Sequence, residues 1–211
     1  MTRGRFIVLE GLDGAGTTTQ AAAISQVLRS EGQPVLVTME PSRGPIGALI
    51  RQALTHRVGL PGGAPLTAEA LALLFAADRV DHLAAEIEPA LRDGAVVLSD
   101  RYLLSSLAYQ GAQVGLAWVA QVNARARTPD LTLFLEVDTG VAAARRGGRG
   151  GREELYERDE VQRRTAAWYR KAIAARRRAG ERVQVVDGGR SPAEVTAACV
   201  AAIRGVRGRR R

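Results

Sequence analysis

Apolar residues in this chain follow two rhythms. Short, nearly unbroken runs of strand length occupy residues 5–10 (RFIVLE), 34–39 (PVLVTM), 95–100 (AVVLSD) and 131–137 (LTLFLEV). A fifth run, 182–187 (RVQVVD), alternates more clearly. Continuous Val, Ile and Leu suit strands buried on both faces of a parallel sheet. Between the runs, apolar positions recur at helical spacing. Ile24, Val27 and Leu28 mark a helix over 17–31 that stops at Gly32, a good residue for the first position past a helix end. Leu71, Leu74 and Phe75 mark a long one over 67–91, and Val161, Thr165, Trp168 and Ala172 another over 157–179. A last helix opens on Ser191-Pro192-Ala193-Glu194, with serine as cap, proline first and glutamate third. Alternating strands and helices predict one three-layer α/β/α domain over residues 1–211, built on a five-stranded parallel sheet.

The link from the first strand to the first helix reads GLDGAGTT at residues 11–18. The phosphate-binding loop pattern is G-x-x-x-x-G-K-[ST]. Gly11, Gly16 and Thr18 match it, and Thr17 stands in the lysine position. Glycines let backbone N–H groups turn inward around a phosphate, and the helix start adds its own unpaired N–H groups. The residues expected around ATP are Gly11, Gly14, Ala15, Gly16, Thr17, Thr18 and Thr19, with the Thr18 hydroxyl on Mg²⁺. An ordinary tight turn is the plain alternative, but the strand before and the helix after favour the phosphate loop. Losing the lysine removes one fixed charge from the transferring phosphoryl group, an effect commonly worth about 10²–10³ in rate. Another cation must replace it or activity must be low. Arg145, Arg146, Arg149 and Arg152, in the glycine-rich stretch RRGGRGGREE, are the candidates.

Composition narrows the class. The chain is 46% hydrophobic and 25% charged, which reads as globular. No apolar run approaches the ~18 residues of a membrane span, and the first residues carry no apolar leader, so the cytoplasm is the expected compartment. The net charge is +8, carried by arginine apart from Lys171. Such a charge suits nucleic acid or small anions. The basic tail over 205–211 reads as a solvated end, so nucleic acid is not the expected partner. Cys199 is the one cysteine, which excludes an internal disulfide and, among small apolar neighbours, reads as a buried thiol.

Five stretches, in order, resemble the thymidylate kinase family: FIVLEGLDGAG, MEPSRGPIGALIRQAL, LLFAADRVDHL, DRYLLSSLAYQG and TPDLTLFLEVD. The resemblance runs from about residue 5 to 203. It implies a P-loop kinase fold with a small arginine-rich lid at about 145–157, dTMP and ATP as substrates, Mg²⁺ as cofactor, and a homodimer. By the same resemblance, Phe75 stacks on thymine, and Arg79, one helical turn on, binds thymine or the monophosphate. Plain core for Phe75, and a surface ion pair of Arg79 with Asp78 or Asp81, are the alternatives. Asp100 supports the metal and Arg101 grips the dTMP phosphate. Ser106 and Gln110 bond the base edge, Tyr109 lies against the deoxyribose, Asp13 meets the 3′-hydroxyl, and Glu40 completes the acceptor side. Arg149 and Arg152 are the implied lid catalysts.

The sequence also departs from the family. Besides Thr17, Met39 replaces the arginine before Glu40-Pro41, and Ser42-Arg43-Gly44 replaces a GGT-like run, with Arg43 near enough to restore charge. The reading that results is dTMP kinase with an altered phosphate site compensated by arginines. A nucleotide-binding paralogue with little or no catalysis and a regulatory role is the alternative.

Overall fold

The computed structural model describes residues 4–147 and 159–206. Arg149 and Arg152, the Arg146 side chain and most of the basic tail lie outside the described residues.

Five parallel strands form the sheet in the order β2-β3-β1-β4-β5. They are β1 (Arg5–Gly11), β2 (Val35–Met39), β3 (Val96–Asp100), β4 (Leu131–Glu136) and β5 (Val183–Asp187). Each falls within one residue or so of an apolar run in the sequence. β1 is central, and its side chains alternate between two cores. Phe6 and Val8 join Ile87, Val97, Leu107, Tyr169 and Ile173 on one face. Ile7 and Leu9 join Ile24, Leu28, Leu98, Leu133, Val200 and Ile203 on the other. A strand with both faces covered has no solvent side to carry polar residues, hence its unbroken apolar run.

Helix α1 (Thr17–Ser30) and α10 (Pro192–Arg204) cover the second face. The α10 cap is the expected capping box: Ser191 Oγ accepts from Glu194 N, and Glu194 Oε2 accepts from Ser191 N. Cys199 is buried on this helix, and burial pushes its thiol up to about 12, so it is an inert core side chain. Between β2 and β3 come α2 (Pro45–Leu54) and α3 (Ala68–His82), the latter capped by Thr67. The expected helix over 67–91 is not uniform: a π turn at Leu83–Ile87 leads into α4 (Glu88–Arg92). Pro89 has no N–H to give, and the hydrogen-bond ladder widens just ahead of it.

After β3 come α5 (Leu103–Tyr109), α6 (Gly111–Val114) and α7 (Leu116–Val122). After β4 come α8 (Thr139–Gly147) and α9 (Asp159–Arg178). Arg145, the first residue of the expected lid, sits on the last turn of α8, and residues 148–158 of that stretch lie outside the described residues. The face of α9 that packs inward is rotated from expectation. Gln162, Thr165, Tyr169, Ala172 and Ile173 are its buried positions among the described residues, while Val161 and Trp168 are partly exposed. Lys171 lies against the Trp168 ring, 4.4 Å from its centroid. Among the described residues no helix is long and apolar enough to cross a membrane.

Strand register gathers the site. Leu9 and Met39 both pair with Asp100. Glu10, Glu40 and Arg101 therefore leave neighbouring strands together at the carboxyl edge, where parallel sheets bind ligands.

Candidate active site

The loop between β1 and α1 needs its glycines. A Cβ on Gly11 would stand 2.7 Å from Ala15 Cβ and 3.1 Å from the Leu135 carbonyl oxygen, too close for either. Gly14 and Gly16 have φ of 88° and 93°, which penalises any residue with a Cβ. Helix α1 then begins at Thr17 with no side-chain cap, so its first N–H groups remain available to a phosphate. Thr17 itself is buried. On the far side of the loop, Arg145 lines a hollow with Gly14, Ala15, Gly16 and Thr19, and its Nη1 donates to the Gly188 carbonyl at 3.3 Å.

The Thr18 hydroxyl donates to Asp100 Oδ2 at 2.5 Å, tying the loop to the tip of β3. Asp100 Oδ1 is buried without a protein partner. An unpaired buried carboxylate oxygen is costly, and a hard cation is a fitting partner for it. Among the described residues no group of three or more His, Cys, Asp or Glu could hold a metal alone. Mg²⁺ suits so sparse a donor set, because it is usually held by one or two carboxylates, waters and substrate phosphates. Thr18 and Asp100 therefore fit it.

A cleft opens beside this loop. It is lined by Asp13, Glu40, Phe75, Arg79, Arg101, Ser106, Tyr109 and Gln110, all singled out in the sequence, and also by Pro41, Leu54, Tyr102 and Ser105. Phe75 is half-buried and belongs to neither apolar core, so it is not plain core. Arg79 is not in a surface pair with Asp78 or Asp81. It is 1% exposed. Its Nη2 lies 2.7 Å from Glu40 Oε2 and donates to Ser106 Oγ at 3.1 Å, and its Nη1 bonds Asn123 Oδ1. Its Nε has no protein partner. Asp78 accepts instead from the Ser42 N–H and hydroxyl at 2.7 and 2.6 Å. That turn packs so closely on α2 that a Cβ on Gly47 would stand 2.0 Å from Ser42 O. Arg43, a possible replacement for the charge missing at Met39, is exposed and does not line the cleft. Arg51 braces the turn, donating to the Pro41 and Ser42 carbonyls.

Behind Glu40 lies His82, with Nδ1 3.3 Å from Glu40 Oε1 and Nε2 3.0 Å from Glu86 Oε2. Burial works against its charge, but the bonds and charges of Glu40 and Glu86 outweigh it and raise its pKa above the usual histidine range.

Arg101 has φ of 69°, a left-handed conformation that costs a bulky residue about 1–3 kcal/mol and persists only where its surroundings enforce it. Here the Arg101 N–H donates to Leu9 O at 2.8 Å, and its carbonyl accepts from Ser99 Oγ at 2.8 Å. The turn aims the guanidinium back at the phosphate loop. Nη1 donates to Gly11 O, Ser105 Oγ and Tyr169 OH at 3.0, 3.1 and 3.2 Å, and Nη2 pairs with Asp13 Oδ1. Asp13 Oδ2 accepts from Tyr109 OH at 3.1 Å and from Gln162 Nε2 at 2.5 Å, and Gln162 Oε1 accepts from Asp13 N at 3.2 Å. Helix α9 thus clamps the loop through one amide. Burial opposes the Arg101 charge, but Asp13 leads the groups that hold it firmly protonated.

Beneath this cluster is Glu10, fully buried. Its Oε1 accepts from Tyr102 N at 2.9 Å and Ser105 N at 3.1 Å; its Oε2 accepts from the Ser105 and Tyr169 hydroxyls at 2.6 and 3.2 Å. Burial pushes its pKa up to about 7, against the pull of these bonds and of Arg101. The neutral form is therefore favoured by folding. That contribution is whole below about pH 4.5, the group's ordinary pKa, and fades as pH rises through about 7. Calorimetry should show the Tm of the native chain falling relative to Glu10→Gln between about pH 4.5 and 7; parallel curves across that range would contradict the assignment.

Ser105, Asn123, Gln162 and Tyr169 were not apparent as site residues in the sequence. The signal available was polarity on an apolar face: Gln162 and Tyr169 lie seven apart on α9, hence on one side of it.

A parallel sheet, a glycine loop feeding a helix N-terminus, and a carboxylate at the neighbouring strand tip define a P-loop nucleoside monophosphate kinase fold. A family model described as Thymidylate kinase matches residues 9–198. The chain is 43% identical over 170 residues to a probable thymidylate kinase of Pyrococcus abyssi, covering 80% of this chain and 82% of that one. It is 41% identical to a probable thymidylate kinase of Pyrobaculum aerophilum, covering 91% and 92%, and 41% identical to a thymidylate kinase of Thermomicrobium roseum, covering 97% and 98%. The chain belongs to the thymidylate kinase family, and so to an enzyme family.

Proposed function

We propose that this chain is a dTMP kinase of the cytoplasm that transfers the ATP γ-phosphoryl group to dTMP, giving dTDP and ADP. The observation that carries the reading is the pairing of two unmet needs across one sheet edge. Phe75 and Arg79, whose Nε has no protein partner, line the cleft on one side. The unpartnered Asp100 Oδ1 is bonded through its sister oxygen to the loop on the other. In this reading thymine stacks on Phe75, Arg79 with Ser106 and Gln110 meets the base or its phosphate, and Tyr109 lies against the sugar. Asp13 takes the 3′-hydroxyl, Glu40 holds Arg79, and Arg101 holds the acceptor phosphate.

A phosphate oxygen of dTMP attacks the γ-phosphorus as the bond to the β-bridging oxygen breaks, and ADP carries away the electron pair. The acceptor is already anionic, so no general base is needed. Backbone N–H groups of residues 14–19 hold the donor, and the arginine-rich stretch 145–152, above all Arg149 and Arg152, supplies the charge that Thr17 lacks. Mg²⁺, when held by Thr18 and Asp100, would neutralise phosphate charge. Thr17 itself favours a second reading, a nucleotide-binding protein with little catalysis. A homodimer is supported by Leu73 and Val80, large exposed apolar side chains seven apart on α3.

Phosphoryl transfer to dTMP, dUMP, dCMP, dAMP and dGMP tests the reading. dTMP should be strongly preferred. Phe75→Ala should raise the KM for dTMP about tenfold, the value of one base–aromatic stack, with the KM for ATP unchanged. Equal use of all five acceptors would overturn it.

A further inference from the structure

Glu10 contributes to the site without touching the cleft, and every donor it accepts from belongs to the machinery around Arg101. Its Oε1 takes the N–H groups of Tyr102 and Ser105, which hold the backbone just after the strained Arg101. Its Oε2 takes the Ser105 and Tyr169 hydroxyls, and both of those oxygens also accept from Arg101 Nη1. A hydroxyl has one hydrogen. Ser105 gives its hydrogen to Glu10 at 2.6 Å, so Ser105 Oγ presents only lone pairs to the guanidinium and to the Tyr169 hydroxyl 2.8 Å away, while the Tyr169 hydrogen is shared among Ser105 Oγ, Glu10 Oε2 and the Gly11 carbonyl. The carboxylate thereby fixes the direction of one acceptor that orients Arg101, Ser105 Oγ, and through it the place of the Tyr169 hydroxyl beside it.

We propose that Glu10 is a positioning residue: through Ser105 and Tyr169 it aims the Arg101 guanidinium at the phosphate of the acceptor nucleotide. This rests on the reading that Arg101 holds that phosphate. The charged groups around Glu10 are few. Arg101 faces it from the turn after β3, with Asp13 beyond, and the Arg176–Glu181 ion pair lines the small gap on its other side. In Glu10→Gln, Oε1 can still accept both backbone N–H groups. The amide nitrogen, however, donates to the hydroxyl oxygens and competes with Arg101 for them.

The test is calorimetric titration of dTMP and of thymidine, the same ligand without its phosphate, at pH 8. Glu10→Gln should weaken dTMP about tenfold, the scale of a hydrogen bond to a charged group, and leave thymidine unchanged. Ser105→Ala, which removes the hydroxyl that Glu10 orients and leaves both backbone bonds of Glu10 in place, should do the same and keeps the idea testable if Glu10→Gln folds poorly. The double variant should lose less than the product of the two, because both changes act on one path. Equal loss for dTMP and thymidine would mean a merely structural role, and no loss for dTMP would remove the role altogether. If the native chain binds neither ligand, the functional reading fails, and this inference with it.

Discussion

Asp100→Ala is expected to lower kcat at least about 100-fold, the usual effect of removing one preorganised electrostatic group, while the fold stays intact. The two halves of this expectation have separate causes. Activity falls because Asp100 is the carboxylate at the strand tip beside the loop, bonded to Thr18 and with its second oxygen open. Stability holds because that open oxygen is already a buried, unpaired group, and removing it relieves a desolvation cost. The Tm of Asp100→Ala should therefore equal or exceed that of the native chain. Asp100→Asn keeps an acceptor for the Thr18 hydroxyl but loses the charge, so it should be nearly as inactive. A coupled ADP assay with differential scanning calorimetry on the same samples checks both halves. Substantial activity in Asp100→Asn would mean that geometry matters here and charge does not.

The second large effect lies across the cleft. Arg79→Ala should lower the Tm by about 10 °C. Breaking a buried ion pair by removing one partner costs about 3–5 kcal/mol, and in a chain of this size each kcal/mol shifts Tm by about 2–4 °C. Glu40 and Arg79 are both nearly fully buried and 2.7 Å apart, so the remaining Glu40 carboxylate would keep only His82, 3.3 Å away and shared with Glu86, as a cationic partner. The same variant should lose dTMP binding. Stability and binding can be separated, because replacing both partners of a buried pair is often neutral. Arg79→Met combined with Glu40→Gln should recover most of the lost Tm and none of the dTMP affinity. Recovery of both would show that Arg79 is structural.

The sheet was legible in the sequence because its strands are covered on both faces and so carry unbroken apolar runs. The glycine loop was legible because its backbone geometry tolerates little else at Gly11, Gly14 and Gly16. The cleft residues were found by their likeness to a family rather than by periodicity. Phe75 and Arg79 share a face of α3, but spacing alone left open whether Phe75 is core and Arg79 a surface ion. Only the structure shows one half-buried in the cleft and the other buried against Glu40. The supporting layer was not legible. Glu10 reads as one more position of an apolar strand, and Gln162 and Tyr169 as lapses in a helix pattern, because what gives them meaning is the contact of β1 with α5 and α9. Of the four α9 positions marked in the sequence, Thr165 and Ala172 are buried and Val161 and Trp168 only partly so, because the inward side is polar where it meets Asp13 and Arg101.

On the proposed function, this chain phosphorylates dTMP although Thr17 stands where a P-loop lysine is expected. The direct measurement is chromatographic detection of dTDP and ADP formed in equal amounts from Mg·ATP and dTMP by the native chain, beside Asp100→Ala and Thr17→Lys. The expected result is turnover by the native chain that is lost in Asp100→Ala and does not depend on restoring the lysine. Turnover seen only in Thr17→Lys would contradict it and leave a nucleotide-binding protein that lost catalysis with that one charge.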